Sequence, residues 1–304
     1  MMRIEISQDS KMTEAGKSLY RRLKNHIGIL DMFVRESIQN SLDAAKSSEK
    51  HSHVNVDFTT GQFKAGELND RFELISKCLN ERYPGTCDFI AIGDKNTVGL
   101  TGEVDFRSSN NINNLVYRIS REKSDKEAGG YWGIGKTIYL RVGIGLVIYY
   151  SRIQEDGRYH ERLVASLIEN TDPADDYADN ENALIPPDIP NRGVAFFGKK
   201  TGGADDYSED TYPFTEDDPD EIESMLSVFG LVRYKDDETG TLIIIPYIDT
   251  KKLLDDVSPR ITDESTQRPP NWTRSLEDYL SIAIQKWYAP RLNNTDYDGS
   301  YLIA

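Results

Sequence analysis

The sequence predicts an α/β fold on three observations. A helical period runs through residues 28–46, short apolar runs of strand type recur at 54–58, 88–92 and 241–247, and residues 145–168 read as a hairpin. The chain has 304 residues, 38% of them apolar and 29% charged, which supplies a buried core and excludes a disordered chain.

Taken in order, residues 2–6 alternate and are expected to form an edge strand, and Glu14 to Asn25 carries helix formers rich in Lys and Arg. Gly28 to Lys46 gives the longest helix, closed by the polar run SSEKHSH. His51 and His53 in that run have no other ligand-type residue close by, so no metal site is expected there. Residues 54–58 read as a strand, 67–80 as a helix, and DFIAI at 88–92 as a buried strand running into GDKNTVGLTGE. The Asn-rich stretch 108–114 leads into a helix ending at Ser120, after which REKSDKEA precedes the glycine-rich GGYWGIGKTIYLRVGIG.

Strands at 145–153 and 159–168 are joined by the turn EDGR. The acidic stretches 170–191 and 201–220 read as surface loops on either side of a short strand at 193–198. Glu221 to Phe229 is a short helix, and Gly240 introduces the apolar strand TLIIIPY. Residues 250–272 are charged and broken by Pro259, Pro269 and Pro270, which reads as a linker. Residues 275–288 then form a helix with Leu276, Tyr279, Leu280, Ala283, Ile284 and Trp287 on one side, and DYDGSYLIA looks like a turn and the first strand of something further.

The formal net charge of −15 argues against a chain that coats nucleic acid, because neutralising phosphates takes an excess of Lys and Arg. Nucleic acid is therefore expected only indirectly, through a local groove or a partner subunit. Cys78 and Cys87 are too few for a disulfide framework and read as reduced thiols. No apolar run reaches membrane-spanning length and the N-terminus has no targeting composition, so no membrane partner is expected and the expected address is the cytoplasm.

Four stretches carry chemistry. In RESIQNSLDAA, Glu36, Asn40 and Asp43 fall at i, i+4 and i+7, so a helix stacks them in one row that is either a solvated face or a site. Asp94 ends an apolar strand and opens a loop containing Asn96, Gly99 and Gly102, which is either an Asp/Asn/Gly turn or a carboxylate at the mouth of a sheet, able to accept from a base amino group. Glycines 129, 130, 133 and 135 beside Lys136 form a phosphate cradle by chemistry, since backbone N–H groups and a following helix start both favour an anion. The letters from Gly130 to Thr137 also satisfy G-x-x-x-x-G-K-[ST], but a P-loop needs a buried strand feeding the glycines and here the feeder is REKSDKEAGG. A purely structural glycine cluster is the third reading. Thr241, at the entry of the late strand, matters only if that strand lies beside the one ending at Asp94.

In this order the four stretches resemble the GHKL superfamily of ATPases, named for gyrase B, the ninety-kilodalton heat-shock chaperone, histidine kinases and MutL. RESIQNSLDA is similar to the N-box helix, GDKNTVGL to the adenine-contacting motif, GYWGIGK to the glycine lid motif and GTLIII to the final Gly-Thr motif, over about residues 20–250. The resemblance implies a two-layer α/β sandwich with a mixed, largely antiparallel sheet covered on one face by helices. It implies ATP and Mg²⁺ as cofactors, Glu36 as the general base that orients the attacking water, Asn40 as the Mg²⁺ ligand, and Asp43 on the ribose side. Asp94 takes the adenine amino group with help from Thr241, Gly99 lets the backbone approach the base, and Gly130, Gly133 and Gly135 wrap the phosphates with Lys136 beside them. The adenine motif departs from the usual Asp-x-Gly-x-Gly: Asn96 replaces the first glycine and one residue is added.

The domain expectation is an ATP-binding domain over 1–250, with 251–304 as linker, helix and the start of a transducer or partner-binding region. Slow ATP hydrolysis that gates homodimerisation or a partner in a DNA-associated, chaperone-like or anti-phage machine follows from the family analogy. A non-hydrolytic ATP-sensing module and a P-loop NTPase are the competing expectations.

Overall fold

The computed structural model describes residues 1–7, 28–46, 53–104, 108–117, 137–169, 182–200, 207–257, 271–297 and 300–304. Several expectations fall outside them: the helix at 14–25, His51, the lid glycines 130, 133 and 135 with Lys136, and parts of both acidic loops.

The described strands form one eight-stranded sheet. They are β1 (Arg3–Ile6), β2 (His53–Lys64), β3 (Thr86–Lys95), β4 (Leu146–Glu155), β5 (Arg158–Ile168), β6 (Val194–Gly198), β7 (Gly240–Ile248) and β8 (Tyr301–Ile303). Their spatial order is β1-β6-β5-β4-β7-β3-β2-β8. The β2–β8 pair is parallel and the other pairs are antiparallel, so the sheet is mixed and largely antiparallel, as expected. β1 takes the edge predicted for it. β4 and β5 form the predicted hairpin, turned by Asp156 and Gly157, both at positive φ.

The helices are α1 (Ile29–Asp43), α2 (Ala65–Asn69), α3 (Ser76–Arg82), α4 (Ile138–Val142), α5 (Pro219–Ser227), α6 (Thr250–Val257) and α7 (Leu276–Tyr288). One apolar layer joins α1, α4 and α7 to Ile90 and Ile92 of β3, Val147 and Tyr149 of β4, and Ile243 and Ile245 of β7. The alternate residues of those strands, such as Ala91, Ile148 and Ile244, face a second layer that the short helices α2, α3 and α5 complete. The sheet thus carries its long helices on one face, as expected of the sandwich, and a thinner cover on the other.

Three local expectations are corrected. The helix expected over 67–80 is two helices, α2 and α3, because Leu74 adopts φ 69° while Phe72 and Ile75 turn into the core. The strand expected at 54–58 runs on to Lys64, each added residue paired with β3. Residues 250–257 of the expected linker form α6, ahead of the first proline at 259, with Leu253 buried. The 108–120 helix is present in its described part as a π-helical turn at Asn113–Tyr117.

The last described strand, β8, pairs with residues 53–55 of β2. Ahead of it α7 starts at Ser275, whose side chain accepts from Asp278 N at 3.1 Å, and packs on α1. Among the described residues, no helix is long and apolar enough to cross a membrane.

Candidate functional site

A cavity of about 490 Å³ opens between α1, the far end of β3 and the start of β7. From the predicted set, Asn40, Asp43, Asp94, Gly99 and Thr241 line it. The structure adds Ser41, Asn111, Asn114 and Tyr139, with apolar wall from Ile92, Val98, Leu100, Leu115 and Ile243. A wider cleft of about 940 Å³ lies at the opposite end of β3, between Tyr83, Cys87, Tyr247 and Arg274, and none of the predicted residues line it.

Asp94 is the buried carboxylate of the cavity. It lies within β3, paired with Val56, so its side chain shares the α1 face with Ile90 and Ile92. Oδ1 accepts from Thr97 Oγ1 at 2.6 Å and from Thr241 N at 2.9 Å, and Oδ2 accepts from Ser41 Oγ at 2.9 Å. Burial pushes its carboxyl above the ordinary range, against the pull of those three donors. A carboxylate has about four acceptor positions, so one on Oδ2 remains after the three bonds.

The β7 backbone reaches Asp94 because Gly240 has no side chain. A Cβ there would stand 1.9 Å from the Asp94 carbonyl oxygen. Thr241 is therefore beside the strand ending at Asp94, the condition under which its position carries meaning. Tyr234 donates to the same carbonyl oxygen at 2.8 Å.

The loop after β3 is held by polar bridges. Ser151 Oγ accepts from Leu100 N at 2.9 Å and donates to Gly240 O at 2.7 Å, and Asn111 Nδ2 donates to Gly99 O at 3.1 Å. Gly99 has φ 69°, and a Cβ would meet Ser151 Oγ at 2.7 Å. Its glycine is accounted for by this loop packing, apart from any ligand. Asn96, also at positive φ (64°), turns to His53 Nε2 at 2.9 Å and stays out of the cavity lining.

On α1, Asn40 Nδ2 donates to the Tyr139 hydroxyl at 3.1 Å, and burial pushes that hydroxyl up to about 12. Asp43 is exposed and accepts from Gln39 Nε2 at 2.7 Å. Glu36 does not line the cavity; its Oε1 takes Arg35 Nη2 at 2.6 Å and Nε at 3.1 Å. The Arg35 guanidinium in turn lies over the Trp287 ring of α7, 5.6 Å from its centroid.

Sequence reasoning missed Ser41, Thr97, Tyr139 and Asn111. Ser41 carried a usable signal, since it follows Asn40 on the helix that faces Asp94, and so did Thr97, three residues after Asp94 in the same loop; Tyr139 and Asn111 enter through tertiary closure. Among the described residues no group of three or more His, Cys, Asp or Glu is arranged to hold a metal. Compared with known proteins, no family model matches this chain and no curated relative matches it.

Proposed function

We propose that this cavity is a Mg²⁺-dependent ATP site of the GHKL type, and that the chain is an ATPase module with slow turnover. The observation that carries the reading is Asp94, a buried carboxylate with a spare acceptor position, set across one cavity from the helix that bears Asn40 and Asp43. An adenine amino group fits that acceptor. Apolar walls at Ile92, Val98, Leu115 and Ile243 suit the faces of the base, and Thr241 stands beside the carboxylate. Asp43 at the rim is on the ribose side.

Mg²⁺ needs no all-protein cage at this donor set, because it keeps several waters and takes substrate phosphate oxygens as ligands. Asn40 Oδ1 is the ligand, and the cation supplies charge neutralisation on the phosphates. Gly130, Gly133 and Gly135 with Lys136 are the proposed phosphate wrap. Glu36 orients the attacking water, and for that it has to leave Arg35. ATP-driven pairing of two such modules, in the cytoplasm, completes the proposal.

The Arg35–Glu36 ion pair favours a second reading, an ATP-sensing interaction module without turnover. Titration calorimetry with Mg-ATP together with phosphate release separates the readings. Wild type is expected to bind and slowly release phosphate. Asp94→Asn is expected to weaken binding about ten- to hundredfold, the range for losing a hydrogen bond to a buried charged group. Glu36→Ala is expected to bind and release none. Unchanged affinity in Asp94→Asn sinks the adenine assignment, and loss of binding in Lys136→Ala alone supports the P-loop instead. Binding by wild type without phosphate release establishes the sensing module.

A further inference from the structure

Tyr139 has no role in the reading above, yet it lines the cavity. Its ring is buried, 1% exposed, and packs edge-on against Phe33 with centroids 6.1 Å apart at 90°. The Tyr139 hydroxyl accepts from Asn40 Nδ2 at 3.1 Å. An asparagine amide is planar, with its two N–H donors on one limb and its only acceptor on the other. Whatever fixes the nitrogen limb therefore fixes the oxygen. No partner for Asn40 Oδ1 occurs among the described residues.

This matters for a cation. The two orientations of an Asn amide differ by a half-turn about one soft torsion, and the wrong one presents N–H groups to a positive charge. We infer that Tyr139 is a positioning residue: its hydroxyl anchors the Asn40 nitrogen so that Oδ1 is the limb offered to a divalent cation bound with the nucleotide. The inference rests on the ATP-site reading. Tyr139 belongs to α4, a separate element brought against α1 by packing, so the orientation of Asn40 depends on how α4 docks. Partners that orient a metal ligand typically contribute ten- to hundredfold in metal affinity.

The test is calorimetry of ATP at graded Mg²⁺ concentrations, and in EDTA, for wild type and Tyr139→Phe. Phenylalanine keeps the ring against Phe33 and removes only the hydroxyl. The Mg²⁺ concentration giving half of the metal-dependent gain in affinity is expected to rise about tenfold, with ATP affinity in EDTA unchanged. In an Asn40→Asp background both limbs are oxygen, so adding Tyr139→Phe is expected to change nothing further. An unaltered Mg²⁺ response in Tyr139→Phe overturns the inference and leaves the ATP site standing. An equal loss with and without Mg²⁺ overturns it too, in favour of a packing role. Absence of ATP binding by wild type removes the parent reading along with it.

Discussion

At the scale of single residues, the cavity is organised around one buried carboxylate. Asp94 holds three protein donors, and burial still raises its pKa. Glu169 shows the same physics away from the cavity. It accepts from the backbone N–H groups of Leu184 and Ile185, yet burial, the dominant cause, pushes it up to about 7 from an ordinary value of 4.5. A raised folded-state pKa means the folded state holds more protons between those values, so stability falls as pH rises through about 4.5 to 7. Urea midpoints across that window are expected to decline for wild type and to flatten in Glu169→Gln. Equal slopes in the two proteins would remove Glu169 as the cause.

At the scale of elements, α7 is fastened to the first turn of α1 by polar bonds as well as apolar contact. Asp31 accepts from Tyr279 at 2.9 Å, Trp287 Nε1 at 2.7 Å and Lys286 at 3.1 Å, and Tyr288 donates to the Arg35 carbonyl at 2.6 Å. Burial alone would raise the Asp31 carboxyl; the bonds from Trp287, Lys286 and Tyr279 outweigh it and hold it below the ordinary range. Asp31→Ala is expected to cost ~2 kcal/mol at neutral pH. That contribution is present above the unfolded carboxyl pKa near 4 and lost as pH falls through the depressed folded value. A urea midpoint unchanged by Asp31→Ala at pH 7 would argue against the docking role.

The helix face of α7 was legible because its apolar period is strong. The split at Leu74 was not, since nothing about leucine announces a positive φ. The same division runs through the candidate site. Asn40, Asp43 and Asp94 were legible as spaced polar residues, whereas Tyr139 meets the Asn40 amide only once α4 has packed against α1. Glu36 illustrates a further limit: spacing put it in the row with Asn40, while the neighbouring Arg35 and distant Trp287 decide where its carboxylate rests.

At the scale of the whole molecule, residues 271–304 complete an architecture begun near the N-terminus: α7 covers α1, and β8 pairs with β2 at residues 53–55. A protein shortened after residue 270 exposes Asp31, Thr60 and the outer edge of β2 together. It is expected to lose cooperative unfolding, or to lower its melting temperature by several degrees; a full-length melting profile in the shortened protein refutes this. On a ribosome the same geometry imposes an order. The Asn40-bearing helix leaves the tunnel more than 230 residues of synthesis ahead of the segment that clamps its first turn. During that interval the β2 edge is open to pairing with other chains.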